Sequence, residues 1–301
     1  MKIATTTGDF GAYLPTIAER VRAVHDCGFD CIDLSMYESD SMGEWMCDDW
    51  RERAERLRDL AAELGVSFVQ AHAPNTNPLD ENKFDAEFAA TVRSIEVCGV
   101  LGIPNSVYHA GWEIGISREE FLARNRAFAE KLLPVLEKTG VTLCVENTTK
   151  RHYEGYYYFY DGASMRDFCD EIGHPLFAAC WDTGHANIDG GQYEHILALG
   201  KHLKALHVND NLGKCDQHLH PFMGTLNMDE VMHALIDVGY KGYFTFESSS
   251  SAIRHGNWLH QRREFTADTR ALDPSLAVAR KLCELTHVIG EDILSRYNCL
   301  D

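Results

Sequence analysis

Four short apolar segments in the C-terminal half of this 301-residue chain each stop on a side chain that can hold a divalent cation. VTLCVEN ends at Glu146, LFAACWDTGH at Asp182 and His185, LKALHVND at His207, and YFTFES at Glu247. Hard carboxylates joined by one or two imidazoles suit Mn²⁺, Mg²⁺, Co²⁺, Fe²⁺ or Zn²⁺, and the pattern places no thiolate to select zinc. Burying several like charges together without a cation is expensive. Glu146, Asp182, His207 and Glu247 are therefore read as the ligands of a metal. A second layer of candidates comes from other segment ends: His72 in QAHAPNT, His109 in YHAG, His185 in DTGH, and Asp216 and His218 in KCDQHLHP. His220 has no such support and is left out.

Side chains this far apart in sequence meet only if the strands that carry them point one way. The sequence alternates strand and helix from end to end. Strands are expected at Lys2–Thr6, Cys31–Leu34, Ser67–Ala71, Ser106–His109, Thr142–Glu146, Phe177–Trp181, Leu203–Val208 and Tyr243–Glu247. Helices are expected between them at Pro15–Cys27, Asp49–Leu64, Asp85–Leu101, Arg118–Thr139, Ser164–Ile172, Tyr193–Leu199 and Met228–Val238, with the last helices filling Ser275–Tyr297. Gly28, Gly65, Gly102 and Gly140 stand as stops behind the first four, and Pro134 marks a kink or break in the fourth. Eight β-then-α units with short connections imply a single (β/α)8 barrel over residues 1–301, whose strands deliver their last residues to one rim. A doubly wound sheet is the rival. It should show fewer units, and no G-x-G-x-x-G or P-loop pattern follows the first strand.

Composition narrows the partners. Twenty-eight Lys and Arg against 46 Asp and Glu give a formal charge of −18, which disfavours nucleic acid and anionic membrane. No stretch approaches membrane-spanning length, and MKIATTTGDF lacks the apolar core of a signal peptide. Ten cysteines without a Cys-x-x-Cys pair, several of them in apolar runs (Cys144, Cys169, Cys180), fit a reduced compartment. A cytoplasmic protein is expected.

The segments HAP, HAG, VEN, WDTGH, HVND, DQH and FES make the chain resemble the xylose-isomerase-like barrel superfamily over almost its whole length. That group includes sugar isomerases and epimerases, inosose dehydratases and metal-dependent abasic-site endonucleases (AP endonuclease family 2). The resemblance to the ketose-epimerase branch implies one cation on Glu146, Asp182, His207 and Glu247. It also implies that the two glutamates serve as acid and base, and that His185 binds substrate. The resemblance to the endonuclease branch implies that the same positions, with His72, His109, Asp216 and His218, hold three zinc ions. One cation is expected, and up to three can be housed.

Physical chemistry favours the first branch. A proton next to a ketone is weakly acidic, and a cation on the carbonyl and hydroxyl oxygens stabilises the enediolate left by its removal. One of Glu146 and Glu247 would take the proton and the other return one. Endonuclease chemistry needs a basic groove, yet the loop after His72 holds no Lys or Arg before Lys83. Arg51, Arg53, Arg56 and Arg58, interleaved with Glu52, Glu55 and Asp59, read as a solvated helix face.

The loops suggest a small polar substrate with an apolar face: RHYEGYYYFYDG after the fifth strand, Trp112 after the fourth and Trp45 beyond the second. A subunit contact in a homo-oligomer is the alternative use of these rings. Lys214 and Arg254 (with His255) are the basic residues expected near the site, where barrels often bind phosphate. His72, His109, His185, Trp112, Lys214 and Arg254 are the candidate substrate-binding residues. The chain is read as a metal-dependent sugar, or sugar phosphate, isomerase or epimerase. An inosose-type dehydratase, a trinuclear-zinc phosphoesterase and, last, a non-catalytic metal-binding sensor are the alternatives.

Overall fold

The computed structural model describes residues 1–38, 42–151, 153–248, 267–268, 270–271 and 273–301. Strands β1 (Lys2–Thr6), β2 (Cys31–Ser35), β3 (Ser67–His72), β4 (Asn105–Tyr108), β5 (Thr142–Glu146), β6 (Phe177–Asp182), β7 (Leu203–His207) and β8 (Tyr243–Phe246) form one sheet. Their order is β7-β6-β5-β4-β3-β2-β1-β8, and every ladder is parallel. The two ends of this order meet. The Val208 N–H donates to the Thr245 carbonyl at 2.8 Å and the Glu247 N–H to the Val208 carbonyl at 3.1 Å, so a parallel bridge closes the sheet on itself. The result is the eight-stranded barrel that the alternation implied.

The strands are buried along nearly their whole length, as befits a parallel sheet covered outside and filled inside. Small side chains fill the interior: Val107, Cys144, Ala178, Cys180 and Ala205 form one cluster, and Ala4, Cys31 and Val69 another. The outer layer packs helices against the sheet. Helix Trp50–Leu64 buries Ala54, Leu57, Leu60 and Ala61, at the spacing of one helical face. Its arginines face outward, Arg53 pairing with Asp49 and Arg56 with Glu52, which bears out the solvated face.

Sequence-local signals set the helix ends. Thr16 and Glu19 form a capping box ahead of Ile17–Asp26, while Ser117, Asp161 and Asn227 cap the helices that follow them. Two expectations are corrected. Helix Arg118–Thr139 continues through Pro134, so the break does not occur; Pro134 and Glu130, whose carbonyl loses its partner, lie on the exposed side where water can take that carbonyl. One helix, Leu276–Arg296, fills the C-terminal segment, and β6 leads into an extra short helix, Thr183–Asp189, before Gln192–Leu199. All ten cysteines are free. No helix among the described residues is long and apolar enough to cross a membrane.

Candidate metal centre

The ends of β5 to β8 bring the four principal candidates together. One ligand atom from each of Glu146, Asp182, His207 and Glu247 lies within 4.8 Å of the others. Glu146 is the hub and is fully buried. Its Oε1 lies 2.8 Å from His207 Nδ1, and its Oε2 lies 3.0 Å from His109 Nε2 and 3.3 Å from His72 Nε2. Glu247 Oε2 stands 3.5 Å from His207 Nδ1. Two further groups adjoin this one, His72–His109–Glu146 and His185–Asp216–His218. Asp216 Oδ2 is shared by His185 Nε2 at 3.2 Å and His218 Nε2 at 3.0 Å. All nine residues named as metal candidates therefore fall at one rim.

The residues between the candidates explain the motifs. Asn147 ties two strand ends together: its Nδ2 donates to the Asp182 carbonyl at 3.0 Å and its Oδ1 accepts the Asp182 N–H at 2.6 Å. Asp182 also caps helix Thr183–Asp189 by accepting the His185 N–H at 2.6 Å, while its other oxygen accepts from Asn209 Nδ2 at 2.6 Å. Thr183 Oγ1 donates to the Asn209 carbonyl at 2.7 Å, and Trp181 Nε1 donates to Gln192 at 2.9 Å. The glycine of DTGH is required by this packing, because a Cβ on Gly184 would lie 1.7 Å from Asn209 Oδ1. Gly111 behind His109 is similar, with Leu79 and Asn77 within 3 Å of where a Cβ would stand. Asp210 pins the following loop by accepting the N–H groups of Gly224 and Leu226.

Electrostatics fit a cation. Burial pushes the Glu146 carboxyl up, but the imidazoles of His207 and His109 outweigh it and hold it well below the usual range. Burial lifts Asp182 to about 6. Burial pulls His185 down, yet Asp182 and Asp216 carry it to about 10. His218 rises well above the usual value because Asp216 overcomes its burial. For His109 burial prevails, and its pKa falls.

Two imidazoles have their tautomer set from behind. His72 Nδ1 faces the Ala73 carbonyl at 2.7 Å and His218 Nδ1 the Glu247 carbonyl at 2.9 Å, so each must donate there. Their Nε2 lone pairs then face carboxylate oxygens, a repulsive arrangement that a proton or a cation between them relieves. His185 Nδ1 and Asp216 Oδ1 are buried without a hydrogen-bond partner. His218 itself sits at φ +47°, in the left-handed region that side chains adopt at a cost. The donor set of carboxylate and imidazole suits a divalent cation of the first transition row or magnesium. Cys180 Sγ also lies near Glu146 and His207, and burial raises its pKa.

The aromatic loops divide. Tyr153 lies tilted against Trp112 with ring centroids 4.7 Å apart, and its hydroxyl is pushed up to about 12 by burial and by the charges of Glu146 and Asp216. Tyr157 is a structural pin, donating to the Glu146 carbonyl at 2.9 Å and accepting the Ala110 N–H at 3.1 Å. Trp45 is a core residue rather than part of a substrate wall. Lys214 is exposed. Arg254 and His255 lie outside the described residues. Sequence reasoning passed over Tyr37, whose ring packs edge-on against His72 at 4.8 Å, and the buried polar pair Asp33 and Gln70 below the rim. The signal for Asp33 was a carboxylate inside an apolar strand, CIDLS.

Residues 21–273 match the family described as xylose isomerase-like TIM barrel, and the chain belongs to that family. Uncharacterized protein y4fM of Sinorhizobium fredii is 27% identical over 255 residues, covering 75% of this chain and 78% of its own. The L-ribulose 3-epimerase of Methylomonas sp. is 25% identical over 243 residues, covering 75% and 76%. The crystal structure of D-psicose 3-epimerase from Clostridium cellulolyticum H10 superposes with a TM-score of 0.73 over 100% of both chains at 17% identity, a likeness of fold.

Proposed function

We propose that this protein is a divalent-metal-dependent isomerase or epimerase of a sugar, in which Glu146 and Glu247 take and return the substrate proton. The convergence of Glu146, Asp182, His207 and Glu247 within 4.8 Å carries this reading. Relatives described as L-ribulose and D-psicose 3-epimerases make free ketoses the first substrates to test. When bound, the cation supplies Lewis-acid stabilisation of the charge that develops on a carbonyl oxygen. The chain's own residues do the rest. His207 and His109 keep Glu146 ionised and able to accept a proton. Glu247, with its side chain 21% exposed, is open to the rim and can serve the opposite face. Trp112 and Tyr153 offer two tilted aromatic faces against which sugar C–H groups can pack.

The test is turnover of a ketose panel in heavy water with Mn²⁺, Co²⁺, Mg²⁺ or Zn²⁺. Deuterium should enter at the carbon next to the carbonyl, and Glu146→Gln and Glu247→Gln should each abolish exchange while leaving the fold intact. Near-normal exchange in either variant would refute the assignment. An inosose-type dehydratase would instead release water and leave an unsaturated product.

One observation favours a second reading: the His185–Asp216–His218 and His72–His109–Glu146 groups offer places for two more cations. About three zinc ions per chain by elemental analysis would move phosphate esters ahead of ketoses. The charge of −18 weighs against DNA as that ester.

A further inference from the structure

Asp33 is a buried ionisable group below this rim of the barrel, and the acid–base reading gives it no task. It lies on β2, 1% exposed, in register with Gln70 on β3. Clusters of small apolar residues and thiols fill the barrel interior. A carboxylate in such a place is costly unless it is paired. Gln70 Nε2 donates to Asp33 Oδ2 at 2.9 Å and to the Leu206 carbonyl at 3.2 Å, so the amide is held at both ends. The same Oδ2 lies 3.3 Å from His207 Nε2, and His207 is the one ion-pair partner of Asp33 among the described residues. On the other side of that imidazole, Nδ1 faces Glu146 Oε1 at 2.8 Å and Glu247 Oε2 at 3.5 Å.

A carboxylate can only accept. Asp33 therefore requires the His207 proton on Nε2 and leaves the Nδ1 lone pair turned toward Glu146, Asp182 and Glu247. We propose that Asp33, steadied by Gln70, is a positioning residue that locks His207 as its Nε2–H tautomer and so presents Nδ1 to the cation. The inference rests on the reading that these donors hold a divalent cation. An asparagine could turn its amide oxygen toward both Gln70 Nε2 and His207 Nε2, which share Asp33 Oδ2, so removing the acceptor takes an apolar side chain of similar size. Partners of this kind behind a ligating histidine orient the ring and raise its basicity, and their loss typically weakens metal binding about 10- to 100-fold.

The experiment is a Co²⁺ titration of wild type and Asp33→Leu, followed by visible absorption and by competition with a chelating indicator. Thermal melts of the cation-free proteins report the fold. The expected result is one tight site in wild type, and in the variant about 10- to 100-fold weaker binding with a shifted visible band and a cooperative cation-free melt. A second measurement does not depend on the variant folding: ¹⁵N-histidine spectra of Zn²⁺-loaded wild type should show His207 protonated at Nε2. Equal Co²⁺ affinity and spectrum in Asp33→Leu, or a His207 proton on Nδ1 in the loaded protein, would overturn the tautomer lock and leave the cation site standing. Failure of wild type to bind any divalent cation would instead overturn the metal reading, and this inference with it.

Discussion

Gly184→Ala sets two physical effects against each other, and the structure decides the sign. Gly184 is the second residue of helix Thr183–Asp189, where alanine is ordinarily better than glycine by about 1 kcal/mol. The new Cβ, however, would stand 1.7 Å from Asn209 Oδ1 and 2.7 Å from its Cγ. Asn209 is fully buried and gives its Nδ2 to Asp182 at 2.6 Å. Making room costs that hydrogen bond to a charged group, about 1.5–3 kcal/mol, and adds overpacking of about 1–3 kcal/mol. After subtracting the helix gain, the net destabilisation is about 1.5–5 kcal/mol. A 301-residue chain unfolds with an entropy of about 0.6 kcal/mol per degree, so Tm should fall by about 2–8 °C. Calorimetry in chelator measures this without any bound cation. The double variant with Asn209→Ala removes the clash, so Gly184→Ala should cost little in that background. A Tm equal to or above wild type for the single variant would show that Asn209 does not occupy the described place.

Three further outcomes are expected. Burial lifts the Asp9 carboxyl from 3.8 to about 7, with Oδ1 enclosed and unpartnered, so the folded state holds the proton more tightly than the unfolded. Its contribution to stability is therefore present below pH 4 and lost as pH rises through 7. Asp9→Asn should melt higher than wild type at pH 8 but not at pH 4, and parallel Tm profiles would contradict this. A cation at about one hundred times its Kd should add about 2.7 kcal/mol, raising Tm by about 4 °C, and excess chelator should reverse the shift; an unmoved melt would speak against a site. Trp112→Ala should raise KM for a ketose more than it lowers kcat, because Asn77 holds the loop through the Trp112 backbone; an unchanged KM would remove Trp112 from the substrate wall.

Rim residues were legible because a strand end is a local event. A run of β-formers stops, and its last residue declares its chemistry, as at Glu146, Asp182 and His207. What ties the rim together was not legible, since Asn147 and Asn209 act between strands that adjoin only once the barrel has closed. Asp182 was read as a ligand alone, and its capping of helix Thr183–Asp189 was missed because DTGH looked like the end of a strand. Cys180 lies two residues before Asp182, and Gln70 two before His72. The strand period of two therefore puts each on the same face as its neighbour, one layer lower. The tyrosines after β5 looked alike in sequence, and only hydrogen bonding separates Tyr157, which braces the Glu146 backbone, from Tyr153 beside Trp112.

The bridge that closes the sheet between β7 and β8 has a consequence for motion. Two backbone hydrogen bonds hold it, both through Val208, where other neighbours share longer ladders. His207 and Glu247 stand on opposite sides of this seam, so an ion gripping both would act as a clasp across the weakest stave of the barrel. Without the clasp, the amides of Val208 and Glu247 should exchange with solvent sooner than those within β5 and β6. With it, opening the seam would require letting go of the ion, so that binding and the tightness of the barrel become one event.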